Sequence, residues 1–182
     1  MDPKAIILKY YKPDSKAYRV LIGHSISVTK KALEVAKRVP ELNPDLKFIE
    51  EAAMLHDIGM RKTNAPIIDC HGEFPYFCHG YLGREILEKE GLPKHALVCE
   101  RHTGTGIPLK DIKSHNHPLP HRDLIPITIE EQIICFADKF FSKKPKHQGK
   151  TNNIEQIKAS LAKHGNDRVQ KFEDWCKLFK EP

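Results

Sequence analysis

The chain has 182 residues, 40% hydrophobic and 30% charged, a composition that suits one soluble globular domain with a real core and excludes a disordered polymer. Its formal net charge is +6, which fits an anionic ligand, while the lack of a long Lys/Arg block argues against a nucleic-acid partner. No apolar run approaches the ~20 residues of a membrane span, Met1-Asp2-Pro3-Lys4 is not a signal-peptide start, and five cysteines without a Cys-x-x-Cys pair read as free thiols, so a cytoplasmic location is expected.

Helical spacing dominates the chain. Asp2-Pro3 opens a short first helix. Ser15 caps a second, with Tyr18, Leu21, His24, Val28, Ala32, Val35 and Val39 on one face, and Pro40 stops it. Asn43-Pro44 is expected to start a third helix, which carries Ile49, Ala52, Ala53 and His56 and stops at Gly59. Residues 60–78 read as a loop, interrupted by Asn64, Pro66, Gly72 and Pro75. His79 opens a helix through Leu82, Ile86 and Leu87, ended by Gly91 with Pro93 beyond it. A short helix from His95 carries Ala96, Leu97 and Cys99 to His102.

Residues 103–127 are expected to be irregular, with four prolines and the exposed histidines His115, His117 and His121. Thr128-Ile129-Glu130-Glu131 is a capping box launching a helix with Ile129, Ile133, Ala137 and Phe140 on one face and Asp138 beside it. Lys143 to Lys150 reads as a polar, basic linker. Two final helices follow, Ile154 to Leu161 and Val169 to Phe179; the aromatics Phe172, Trp175 and Phe179 read as packing. No strand and no internal repeat is expected. The fold class is therefore all-α, a single domain over 1–182 with a core at about 15–143 and C-terminal helices 151–180 packed on it.

Six chemistry-bearing side chains fall on or beside core faces: His24, His56, Asp57, His79, His102 and Asp138. Taken singly, each has an ordinary role: a core histidine bonded to a carbonyl, a helix-end histidine, or a surface aspartate paired with Lys139 or Lys143. Taken together, imidazoles and carboxylates from several helices are how a helical bundle builds a metal site. Two ions sharing Asp57, at a typical separation of ~3.5–4 Å, would use the whole set. A rival set, Cys70-His71 and Cys78-His79, offers thiolate and imidazole for structural zinc, but its spacing departs from the usual zinc-finger pattern.

His24, then His56-Asp57, then Asp138 resembles the HD-domain superfamily of metal-dependent phosphohydrolases, and His56-Asp57-Ile58-Gly59 is the HDIG form of its signature. The resemblance covers residues 15–143 and looks most like small stand-alone bacterial and archaeal members. It implies an all-helical bundle, an enzyme that hydrolyses a phosphate ester, and one or two divalent ions (Fe, Mn, Co, Ni or Zn). The superfamily's two-metal branch has two further histidines, which His79 and His102 match by position. Met60 follows the signature where the cyclic-dinucleotide branch has Lys, and no GYP motif follows, which argues against that substrate.

The implied site residues are His24, His56, Asp57, His79, His102 and Asp138 for metal. Asp57, Arg61 and Lys62 are the implied catalytic residues. Arg19, Arg61, Lys62, Arg101 and Lys139 are candidates for contact with the substrate phosphoryl group. The expected substrate is a small phosphorylated molecule, a nucleotide or other phosphomonoester, with no membrane partner; a homo-oligomer is compatible with the composition. Two other readings keep the ion: an oxygen-activating di-iron enzyme, and a non-catalytic nucleotide-binding regulatory module.

Overall fold

The computed structural model describes residues 1–143 and 151–181. Helices begin where small polar side chains accept the first free backbone N–H groups. Asp2 accepts from Lys4, Ser15 from Tyr18, Asp45 from Phe48, Thr128 from Glu131 and Asn153 from Gln156. The elements in chain order are α1 (Pro3–Tyr10), α2 (Lys16–Arg38), α3 (Leu46–Leu55), β1 (Asn64–Ala65), β2 (Cys70–His71), α4 (His79–Lys89) and α5 (Pro93–Arg101). They continue with α6 (Leu109–Ser114), α7 (Ile129–Asp138), α8 (Ile154–Ala162) and α9 (Asn166–Leu178). The all-α expectation holds: the described sheet is one two-stranded antiparallel ribbon, with Asn64 opposite His71 and Ala65 opposite Cys70.

The long helix α2 packs on both α3 and α7. Two apolar cores meet along it. One gathers Val28, Val35, Ile133, Phe136, Phe172 and Phe179, so α9 contributes the aromatic packing expected of it. The other gathers Ile7, Leu21, Leu55, Ile58, Met60 and Leu87. His24 lies on α2 between Leu21 of one core and Val28 of the other, and His56 lies between Ala53 and Ile58 in the same way. The candidate ligands therefore sit at the seam of two packed cores, where backbone positions are fixed from both sides.

Several boundaries differ from the sequence expectation. Helix α3 starts at Leu46, because Asp45 makes the cap and Asn43 takes a left-handed conformation with φ 49°. It stops at Leu55, so His56 closes the helix and Ile58–Lys62 forms a separate 3-10 turn. Helix α5 starts at Pro93, whose missing N–H is harmless in a first turn. The loop 60–78 contains the short ribbon, and 103–127 contains α6; both are too brief for periodicity to reveal. Helix α9 begins at Asn166, three residues before Val169. Of the expected linker, residues 144–150 lie outside the described residues.

Gly59 is not a helix stop. A Cβ at this position would fall 2.1 Å from the His79 carbonyl oxygen and 2.4 Å from Gly83 N, so the signature turn lies directly against the start of α4. Gly83 repeats the device one layer on, where a Cβ would meet Cys99 Sγ of α5 at 2.1 Å. Close approach, not chain reversal, is the reason for both glycines.

Candidate metal centre

Each side chain of the site is delivered by the end or the buried face of a helix. His24 comes from the buried face of α2, His56 from the C-cap of α3, His79 from the first residue of α4, His102 from the C-cap of α5 and Asp138 from the last residue of α7. Asp57 follows His56 and is fully buried, with 0% exposure. The fold brings all six together in two groups that share one residue. His24, His56, Asp57 and Asp138 form the first; Asp57, His79 and His102 form the second, with the ligand atoms of each group within 4.8 Å of one another.

The two oxygens of Asp57 face different groups. Oδ2 lies 3.0 Å from His56 Nε2 and 3.2 Å from His24 Nε2, while Oδ1 lies 3.2 Å from His79 Nε2 and 3.3 Å from His102 Nε2. Asp138 Oδ1 completes the first group at 2.8 Å from His24 Nε2.

Three of the imidazoles are oriented by one backbone rule. His56, His79 and His102 each donate Nδ1–H to a carbonyl three residues earlier: Ala53 at 2.6 Å, Tyr76 at 2.7 Å and Cys99 at 2.7 Å. That bond sets the tautomer and turns the Nε2 lone pair inward, the arrangement a metal-ligating histidine takes. It also makes the inner shell uncomfortable by itself. His79 Nε2 and His102 Nε2 stand 3.0 Å apart, two lone pairs facing each other. Asp57 Oδ1, which faces those two lone pairs, is buried without a hydrogen-bond partner among the described residues. Buried polar atoms left this way cost several kcal/mol, and a cation between them removes the cost. The donor set, nitrogen and oxygen without sulfur, fits a divalent first-row ion.

Charge in the site is set by the same neighbours. Burial alone would lower the His56 imidazole, but the Asp57 and Asp138 carboxylates outweigh it and push the pKa up to about 9. Burial takes His102 the other way, down to about 4. For Asp57, burial is opposed by the His56 and Lys143 charges, which hold the carboxyl well below its usual range; for Asp138 the opposing charges are Lys139 and Lys143.

The expected phosphate-binding cations are placed differently from their sequence neighbours. Lys139 lies beside the centre, with Nζ 2.9 Å from Asp138 Oδ2. Arg61 gives its guanidinium to the Tyr10 carbonyl, Lys62 pairs with Glu85 at 3.2 Å, Arg101 with Glu131 at 2.9 Å, and Arg19 bonds the Asp14 carbonyl at 2.6 Å. Arg61 and Lys62 leave a 3-10 turn and Arg101 ends α5, where successive side chains point in different directions, while Arg19 lies in the first turn of α2.

Lys143, read as the start of a linker and as an ordinary surface partner for Asp138, was not among the candidate site residues. Its Nζ lies 2.8 Å from Asp57 Oδ2 and 3.7 Å from Asp138 Oδ1. Turns at Lys139, Phe140 and Phe141, each closed by an N–H to a carbonyl three residues back, curl the chain after α7 towards the site. The rival zinc set does not assemble among the described residues. His71 is exposed against Asp69, while the Cys78 thiol lies 3.6 Å from the Pro118 carbonyl.

A cavity of about 730 Å³ opens beside the first group. Asp138, Lys139, Lys143 and Tyr76 line it, together with Gln156 and Ser160 of α8. Tyr76 stacks on His79 with ring centroids 4.8 Å apart, so one residue orients a ligand through its carbonyl and lines the cavity with its ring. Among the described residues no helix is long and apolar enough to cross a membrane.

A helical bundle carrying paired His/Asp groups at the ends of its helices defines a class of protein whose site could hold a metal. The HD domain family matches residues 21–142, and the chain belongs to that family. Among curated proteins, it is 34% identical to a tRNA (cytidine(56)-2'-O)-methyltransferase of Picrophilus torridus over 78% of this chain and 36% of that one. It is 31% identical to the protein of that name in Thermoplasma volcanium, over 94% of this chain and 46% of that one. An uncharacterized protein of Methanocaldococcus jannaschii is 34% identical over 65% of this chain and 64% of its own length. The chain thus spans between about a third and two thirds of the relatives it matches. No solved structure matches.

Proposed function

We propose that the chain is a metal-dependent phosphohydrolase that cleaves a small phosphate ester, a nucleotide or other phosphomonoester. The observation that carries this reading is the pair of ligand groups joined through Asp57, the first of which reaches a cavity through Asp138, with Lys139 and Lys143 in the lining beside it. Divalent ions held there would supply Lewis acidity and a water acidic enough to attack near neutral pH. The chain's own residues do the rest. Asp57 ties the two groups into one unit, and the Nδ1 bonds of His56, His79 and His102 keep their Nε2 atoms aimed inward. Lys139 offers positive charge to a phosphoryl group entering the cavity, and the packed cores behind the ligands exclude bulk water.

The test is a phosphatase screen on protein purified without chelators and supplied with Mn, Fe, Co, Ni or Zn in turn. Release of inorganic phosphate that disappears in Asp57→Ala supports the reading. Oxygen uptake by an anaerobically prepared iron form would replace it with the di-iron alternative.

The relatives favour a second reading. A similar sequence, 31–34% identical, occurs within proteins named for tRNA methylation, of which it covers under half. A domain of this kind would bind a nucleotide and serve another catalytic unit. Tight nucleotide binding without turnover, across all five metals, would select it.

A further inference from the structure

We infer that Lys143 is a built-in counter-ion for the first ligand group: its ammonium holds the two carboxylates in the ion-free protein and leaves them when a divalent ion enters. This rests on the metal-centre reading above. Lys143 Nζ approaches Asp57 Oδ2 at 2.8 Å and Asp138 Oδ1 at 3.7 Å. Those are the same two oxygens that His24 and His56 approach, at distances of 2.8 to 3.6 Å. One ammonium and one metal ion therefore address the same pair of atoms from within the same small volume. Two carboxylates this deep repel each other and need positive charge in every state of the protein. Lys143 supplies it from a turn beyond α7, not from a helix core, and its side chain also lines the open cavity. The route out for the displaced ammonium is therefore the cavity, where it joins Lys139 and raises the positive charge facing an incoming anion.

A positioning lysine and a competing lysine predict opposite results. If Lys143 held Asp57 in place for the ion, its loss would weaken metal binding. As a competitor, its loss strengthens binding and destabilises the empty protein.

The experiment is calorimetric titration of the chelator-stripped full chain with Mn²⁺ and, separately, Zn²⁺. Lys143→Met should bind the ion about tenfold more tightly or better, and should melt at a lower temperature than wild type when stripped. Lys143→Arg, which keeps the charge, should stay near wild type. A second readout uses the wild type alone: Lys143 should be protected from an amine-acylating reagent in the stripped protein and become reactive on adding Mn²⁺, read by peptide mass spectrometry. Unchanged or weaker ion binding in Lys143→Met, or Lys143 reactivity that ignores the ion, overturns the proposal while leaving the metal centre intact. Failure of wild type and variant alike to bind either ion overturns both.

Discussion

Gly59 and His79 are in backbone contact: a Cβ on the glycine would fall 2.1 Å from the histidine's carbonyl oxygen. This contact joins the signature turn, which carries Asp57, to the helix that carries the first histidine of the second ligand group. Gly59→Ala must push α4 away. It should lower stability by about 1–3 kcal/mol in urea unfolding and lower metal content towards one ion per chain. An alanine variant with wild-type stability and unchanged metal content would show that the contact does not position the second group.

Asp57 is shared, whereas His102 belongs to one group only. Asp57→Ala should therefore abolish metal content, and His102→Ala should reduce it from two ions towards one. Elemental analysis of chelator-free protein decides this. One ion in fully loaded wild type would remove the second site, and His56→Ala retaining full metal would remove the first.

The ion-free protein should be most stable near pH 6.5. His102 is held at about 4 when folded, so below its unfolded value of about 6.5 the unfolded chain binds a proton that the folded chain refuses, and stability falls as pH drops from 6.5 towards 4. His56 is raised to about 9, so its contribution is full below 6.5 and is lost as pH climbs towards 9. A bound ion needs His56 neutral, so the alkaline loss should vanish in the loaded form and the ion's thermal stabilisation should grow from pH 6.5 to 9. Melting curves with and without Mn²⁺ test this; an alkaline limb that survives loading contradicts it.

Glu100 is 2% exposed and is held by Arg84 at 2.6 Å and Arg122 at 2.5 Å. Arg122 belongs to the 103–127 segment, so this acid fastens that segment to α4 and α5. Removing both arginines strands a buried carboxylate. The double Arg84→Ala, Arg122→Ala variant should lose roughly 3–5 kcal/mol, and adding Glu100→Gln should restore part of it. Each single change should matter less, because both arginines reach solvent. No recovery in the triple variant would show that lost packing, not the stranded charge, causes the effect.

The sequence was legible where periodicity and caps agree. Ser15, Thr128 and Pro3 mark helix starts that the fold keeps, and the six His and Asp residues converge because core faces of packed helices must meet. It was illegible where direction depends on a single turn. Arg61 and Lys62 stand just after the signature, yet a 3-10 turn sends their charges to Tyr10 and Glu85. Lys143 lies five positions past Asp138 with no spacing rule to recommend it, and three successive turns return it to the carboxylates. The short ribbon and α6 escaped for a related reason: segments of two to six residues show no period.

Gln156, Ile157 and Ser160 of α8, which lies beyond the stretch 21–142 shared with the HD family, line the cavity together with Asn64, Ile67, Ile68 and Tyr76 from within it. The cavity is thus closed by a part of the chain that the family match does not reach, and Gln156→Ala or Ser160→Ala would alter its lining without touching either ligand group.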